Sequence, residues 1–407
     1  MIEIVQALAL YASELQPLGV EFIAVATALD RVLATDVLAS VDLPRFDQSA
    51  MDGYGLAADN VSAATLEHPR RLPIVQQIAA GAVPADASLL PGCCVRILTG
   101  APVPPGVDTV IPQEQTTKES DQLVFTQPYP RGRNIRERGE ELKAGTRVGT
   151  HGTRITPGLL AALINAGAVS LQVRQRPRLQ ILVSGDEVRP SGTPLAPGQI
   201  PDSNGPLLSA ILTRWGYPAV SITHVGDTLE AVRSALSHAF ASTDLIISTG
   251  GASVGDRDYL PMAAEALGVR RVLWKVAQKP GKPLYFGIRE SAAGRQALLA
   301  LPGNPGAVLI GALIHLRRIL DLLEGVAQPL PQWQQGKLAA DVERDARRTR
   351  LVRMRMSLVD ATVMLHPLPH QDSHMLSNLS TADVLVRIEA GAGVVKTGEQ
   401  LPWIPLP

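Results

Sequence analysis

Rings and thiols are scarce in this sequence: aromatic residues make up 4% of its 407 positions, and its two cysteines, Cys93 and Cys94, are adjacent. So few rings argue against a base-stacking platform for single-stranded nucleic acid. Neighbouring cysteines provide neither a disulfide framework nor the spaced pairs of a zinc site, as expected in a reducing compartment. An excess of charge is absent as well. Thirty-eight basic residues balance thirty-eight acidic ones, so nothing global draws the chain to nucleic acid or to an anionic membrane. No apolar run approaches the roughly eighteen residues of a bilayer span, and Met1-Ile2-Glu3-Ile4-Val5 lacks the basic start of a signal peptide. The expected location is cytoplasmic.

The chain does have enough apolar residues, 45% hydrophobic against 19% charged, to build ample core. Its length points to two to four domains. Apolar residues at helical spacing predict a helix over Ile4–Glu14 and a second over Val25–Leu38. A polar, glycine-rich loop, Phe46 to Gly55, follows. Short β-type runs at Leu72–Ile78, Cys94–Leu98, Thr109–Pro112 and Leu123–Thr126 predict a β-rich domain over residues 46–140. At its end, residues 131–141 pack four arginines beside three glutamates, either a solvated face or an anion contact. Residues 158–166 read as a helix closed by Gly167.

Strand and helix patterns alternate over 177–327, which predicts a doubly wound, mainly parallel sheet with helices on both faces. Thr228 reads as the N-cap of a helix from Leu229 to Ala241. Gln328 to Gln332 reads as a linker, and alternating runs over 333–407 predict a C-terminal β-barrel. Within the α/β part, three loops each follow an apolar run: Ser248 to Asp258, Lys279-Pro280-Gly281-Lys282-Pro283 and Leu301-Pro302-Gly303-Asn304-Pro305. Ligands of such sheets bind beyond the carboxyl ends of the strands.

The three loops share one ligand chemistry. Thr249-Gly250-Gly251 lets backbone N–H groups approach an oxyanion. Lys275, Lys279 and Lys282 supply positive charge, and prolines stiffen the loop that carries two of them. Asp256 and Asp258 would repel a bare polyanion, which points to Mg²⁺ between carboxylate and phosphate. One glycine-rich turn alone could be no more than a tight connection. Three within about sixty residues point to a site.

Thr249-Gly250-Gly251-x-Ser253-x-Gly255-Asp256-x-Asp258, Lys279-Pro280-Gly281-Lys282-Pro283 and Leu301-Pro302-Gly303-Asn304-Pro305 together resemble the molybdopterin molybdenumtransferase family, the MoeA family, which includes the gephyrin E domain. Asp47-x-Ser49-Ala50-Met51-Asp52-Gly53-Tyr54, Thr99-Gly100-Ala101, Asn134-Ile135-Arg136 and Ser184-Gly185-Asp186-Glu187 carry the resemblance along the chain from about residue 5 onward. It implies an elongated, discontinuous linker domain over 1–45 and 141–176 into which the β-rich domain is inserted. It also implies the activity: molybdenum from molybdate is inserted into the dithiolene of adenylylated molybdopterin, with Mg²⁺-dependent release of AMP.

The same resemblance implies the site. Ser248, Thr249, Gly250, Gly251, Ser253, Lys275, Pro302 and Pro305 would bind the pterin-nucleotide. Glu187, Asp227 and Asp258 would serve catalysis and hold Mg²⁺; without the family pattern each could instead be a helix cap, the favoured reading for Asp227. Lys279, Lys282, Arg350 and Ser373 would hold molybdate, with Arg347, Arg348 and Arg353 close to Arg350 in sequence. Asp52, Thr99 and Glu141 would complete the site across a homodimer interface. Glu141 stands where the family commonly has aspartate. Molybdopterin adenylyltransferase and molybdoenzyme chaperones are the further partners implied.

His370 and His374 have i, i+4 spacing, but the prolines before them favour a loop over a zinc-binding helix face. Cys93 and Cys94 read as buried thiols, with a molybdate-linked role as the other possibility. Two further readings stand beside the transferase. Adenylylation of molybdopterin would need only the α/β domain. A scaffold role, as in the gephyrin E domain, would not require the lysines and carboxylates.

Overall fold

The computed structural model describes residues 1–83, 88–251, 259–292 and 294–407. Asp256, Asp258 and Ser253 therefore lie outside the described residues. Among the described residues, no helix is long and apolar enough to cross a membrane.

The α/β domain is built on a six-stranded sheet ordered Ser221–Val225, Leu179–Ser184, Leu245–Thr249, Gly294–Leu301, Tyr285–Ser291 and Val269–Trp274. Its strands read as nearly unbroken apolar runs because both faces are covered. Ile181, Val183, Ile247 and Leu299 point to one side, where the helices Asn204–Arg214 and Pro305–Gly311 and the run on to Leu323 pack. Leu182, Ile246, Leu298 and Ala300 point to the other side, under the helices Leu229–Phe240 and Leu260–Ala266. Burying each such Leu or Ile contributes about 1.5–3 kcal/mol, so this two-sided core is the main stabiliser of the domain. Thr228 caps its helix as expected, its hydroxyl accepting from the Ala231 N–H at 3.1 Å.

Register decides where the loops emerge. Thr223, Leu182, Ser248, Ala300, Tyr285 and Trp274 are successive partners across the sheet. Only Tyr285–Ser291, a strand absent from the sequence reading, runs against the others in this sheet. Its two reversals cancel, so Val269–Trp274 again points the same way as Gly294–Leu301. All three motif loops consequently leave one edge.

The predicted helix over Val25–Leu38 does not form. A short 3₁₀ turn, Val25–Thr27, ends before Asp30, which takes a left-handed φ of +61°. Beyond it Val32 and Leu33 pair with Arg154 and Val173 as isolated bridges, and Val37–Leu38 is extended. Helical spacing there reflected a chain weaving through a small core with Ile155, Leu163 and Leu171. The helix Ile4–Glu14 does form, but its apolar face does not join that core. Ile4, Ala7 and Tyr11 bury instead against the α/β sheet.

The β-rich region holds a six-stranded sheet that includes Arg70–Ile78, Cys94–Ile97, Thr109–Pro112 and Gln122–Phe125. Cys94 is buried there, its thiol pushed up to about 12 by desolvation, which keeps it unreactive. At the C-terminus, Gln334–Leu338, Thr349–Val359, Thr362–Pro367, Val384–Ile388 and Gln400–Pro405 close into a five-stranded barrel, because Thr349–Val359 pairs with both Thr362–Pro367 and Val384–Ile388. A two-residue strand of the α/β domain, Gln278–Lys279, adds to that barrel in parallel.

Candidate functional site

That added strand makes one wall of a cleft of about 480 Å³ between the sheet edge and the barrel. Lys279 is the ladder partner of Arg350, so two cations that are 71 residues apart in sequence stand side by side. Lys282 lies on the same turn, whose 279–280 peptide bond is cis, and Arg348 and Ser373 complete the lining together with Asp372. Asp345 sits behind it, 3.0 Å from Arg348 Nη2 and 3.6 Å from Lys279 Nζ. The Arg347 backbone N–H and then the Arg348 guanidinium hold Asp345 down to about 2. The four cations outnumber the carboxylates, Asp372 in the lining and Asp345 behind it, so the cleft carries net positive charge.

The neighbouring arginines sort themselves by burial. Arg350 donates to the Glu343 carbonyl and lines the cleft. Arg353 is 1% exposed and spends its donors on the carbonyls of Met375 at 2.6 Å and His370 at 2.8 Å, which shapes the loop that carries Ser373. Arg348 was missed as a lining residue. Its nearness to Arg350 in sequence was the only signal, and its direction depended on the barrel.

A second cleft, of about 590 Å³, opens along the same edge. Its lining includes Gly250 and Gly251, the carboxylate residues Glu187, Asp227 and Asp202, and Asn204, Asn304 and Pro305. Gly250 takes φ +83°, and a Cβ there would sit 2.7 Å from the Ser184 carbonyl oxygen, so only glycine fits. The backbone N–H groups of Asp186 and Asp227 each donate to the other's carboxylate at 3.1 Å, which ties two strand ends together. Asn304, which the sequence places in the Leu301-Pro302-Gly303-Asn304-Pro305 loop without a role, donates to Ser373 Oγ at 2.7 Å. His374 lines both clefts.

Other candidates fall outside these two linings. Ser248 and Thr249 are 1% exposed within their strand, and Thr249 Oγ1 has no hydrogen-bond partner among the described residues. Pro302 is buried. Lys275, with φ +71°, lays its ammonium over the Trp274 ring, 4.5 Å from the centroid. Asp52, Thr99 and Glu141 line neither cleft. Asp52 accepts from the Thr99 N–H at 2.7 Å and its hydroxyl at 2.8 Å, which hold its carboxyl below the usual range. Glu141 is exposed beside Leu43. In the arginine-rich stretch, Arg131 pairs with Asp59 and Arg138 with Asp42, as on a solvated face. His370 and His374 lie in a loop and not on a helix, and among the described residues no cluster of three or more metal-ligating side chains exists.

Glu187 and Asp227 nonetheless suit Mg²⁺, which commonly takes one or two protein carboxylates and completes its shell with substrate phosphates and water. The two clefts could thus hold different anions, one directly on cations and one through a metal ion.

Residues 2–167 match the MoeA N-terminal region (domain I and II), 180–321 the probable molybdopterin binding domain, and 335–406 the MoeA C-terminal region (domain IV). The chain is 32% identical over 381 residues to a molybdopterin molybdenumtransferase of Nostoc sp., covering 93% of this chain and 86% of that protein. It is 34% identical to molybdopterin molybdenumtransferase 2 of Mycobacterium tuberculosis, covering 91% of each. Its fold matches the crystal structure of the molybdopterin biosynthesis moeA protein from Pyrococcus horikoshii OT3 with a TM-score of 0.81 at 23% identity, over 100% of both chains.

Proposed function

From the premise that this chain belongs to the MoeA family of molybdopterin molybdenumtransferases, transferases of molybdenum cofactor biosynthesis, we propose how its two clefts divide the reaction. Molybdate occupies the cationic cleft. The observation that carries this reading is the net positive charge at Lys279, Lys282, Arg348 and Arg350, complementary to the charge of the oxyanion. Lys279 and Lys282 supply ammonium donors from a stiff turn, and Ser373 adds a hydroxyl that Asn304 orients. Adenylylated molybdopterin lies along the second cleft with its pyrophosphate over Gly250 and Gly251.

Glu187 and Asp227, with Asp258, would hold Mg²⁺ there. When bound, the ion neutralises the phosphate charge that builds up as AMP departs. Ser248, Thr249, Ser253, Lys275 and Pro302 are assigned to the same substrate by their motifs. The shared residue His374 marks where the dithiolene end of the pterin meets molybdate.

Asp52, Thr99 and Glu141 act on the partner's cleft in a homodimer. Two features support this: the Asp52–Thr99 pair is exposed, and apolar Phe22 and Val169 are 71% and 81% exposed on the linker region. The product passes to molybdoenzymes through their chaperones, and the substrate arrives from molybdopterin adenylyltransferase, in the cytoplasm.

The test is direct. Purified protein supplied with adenylylated molybdopterin, Mg²⁺ and molybdate should release AMP and yield cofactor that activates an apo-molybdoenzyme. AMP release no faster than without protein would reject the reading.

A further inference from the structure

We infer that Gln278, His315 and Tyr11 form a buried relay that positions the Lys279–Lys282 turn and so sets affinity for molybdate; this rests on the reading of the cationic cleft given above. All three side chains have 0% exposure. Gln278 Nε2 donates to the Gly281 carbonyl at 3.2 Å, which turns Gln278 Oε1 away from the turn. That oxygen faces His315 Nε2 at 2.8 Å, so Nε2 must carry the ring proton. His315 Nδ1 is then bare and accepts from the Tyr11 hydroxyl at 2.9 Å. Each link fixes the orientation of the next, and each donor atom in the series reaches an acceptor.

The geometry ties this series to the lysines. Gln278 directly precedes Lys279, and Gly281 directly precedes Lys282. Gly281 takes φ +97°, and a Cβ there would sit 2.6 Å from Gln278 Nε2, so the amide enters the turn only because that position is glycine. His315 reaches Gln278 from a π-helical turn, Ala312–Leu316, set into the helical run from Pro305 to Leu323. Such local widenings frequently occur at functional sites. The base of the turn is pinned as well: the Ala277 N–H donates to the Ile2 carbonyl at 2.7 Å, and the Thr349 N–H to the Ala277 carbonyl at 3.0 Å.

An apolar trio of similar volume would fill the same space without specifying a direction. A buried polar series joined end to end selects one geometry, because turning any member strands a donor or acceptor. The three residues are therefore positioning residues; none of them lines the cleft.

Calorimetric titration with molybdate, combined with steady-state kinetics, tests this. Gln278→Leu should raise the molybdate Kd about tenfold, and Tyr11→Phe, two links further out, about threefold. Both effects should fall on KM for molybdate and not on kcat or on KM for adenylylated molybdopterin, a split that a general loss of packing would not produce. Lys279→Ala is the reference. If it abolishes molybdate binding while Gln278→Leu and Tyr11→Phe leave Kd within twofold of the parent, the positioning role is overturned and the cleft assignment survives. If Lys279→Ala itself leaves Kd unchanged, the cleft assignment fails.

Discussion

The two clefts that meet at His374 lie on one sheet edge yet are built by opposite means. The cationic cleft is shaped by side chains held from beneath, by Gln278 and His315 on one wall and by Arg353 on the other. The acidic cleft is shaped by backbone: glycines at positive φ and reciprocal N–H contacts between strand ends. A small rigid oxyanion requires fixed charges at fixed distances. A long, multiply charged ester requires backbone that can come close along its length, and a metal ion to reconcile phosphate with carboxylate.

That contrast can be broken most severely at a lysine. Lys282→Ala should weaken molybdate binding by on the order of 10- to 100-fold, the value of a hydrogen bond to a charged group, while half-saturation by Mg²⁺ stays unchanged. Titration of both ligands against both proteins checks this, and a parallel loss of Mg²⁺ response would show that the clefts are not separate. Asp227→Asn should give the complementary result: about a tenfold higher Mg²⁺ requirement for AMP release, with the molybdate Kd unaltered. Its test is a magnesium titration of AMP release at saturating molybdate.

The last effect concerns the buried support. Burial lowers the His315 pKa to about 3, whereas the unfolded chain binds that proton near about 6.5. A folded pKa below the unfolded one means that stability is full above about 6.5 and declines as pH falls towards 3. Asp345, behind the same cleft, is held down to about 2, so its contribution is lost only in stronger acid. Melting temperatures at several pH values between 7 and 5 should therefore fall more steeply for the parent than for His315→Phe. Equal slopes would show that the histidine is not held neutral.

Local signals were strong where local physics decides. The helix Leu229–Phe240 has its threonine cap and amphipathic spacing, and the strand Val384–Ile388 its apolar run; both could be read directly. Val25–Leu38 misled because helical spacing also occurs in a chain that turns through a small core, and Asp30 at positive φ cannot be seen in spacing. The antiparallel strand Tyr285–Ser291 was hidden behind a proline-rich turn. Arg348 and Arg353 could not be told apart by spacing, since only burial inside the barrel consigns one to carbonyls and leaves the other at the cleft.

Sequence alone determined which residue types gather in the loops: paired glycines, lysines between prolines, and acids just after strands. Those choices follow from what a few neighbouring atoms require, and a few neighbouring atoms are visible in order along the chain. Tertiary structure alone decided that Lys279 stands beside Arg350, that Ser373 reaches Asn304, and that a tyrosine near the start of the chain acts on a turn more than 250 residues later. Strand register and barrel closure bring those groups together, and both depend on pairings between segments that no local pattern encodes.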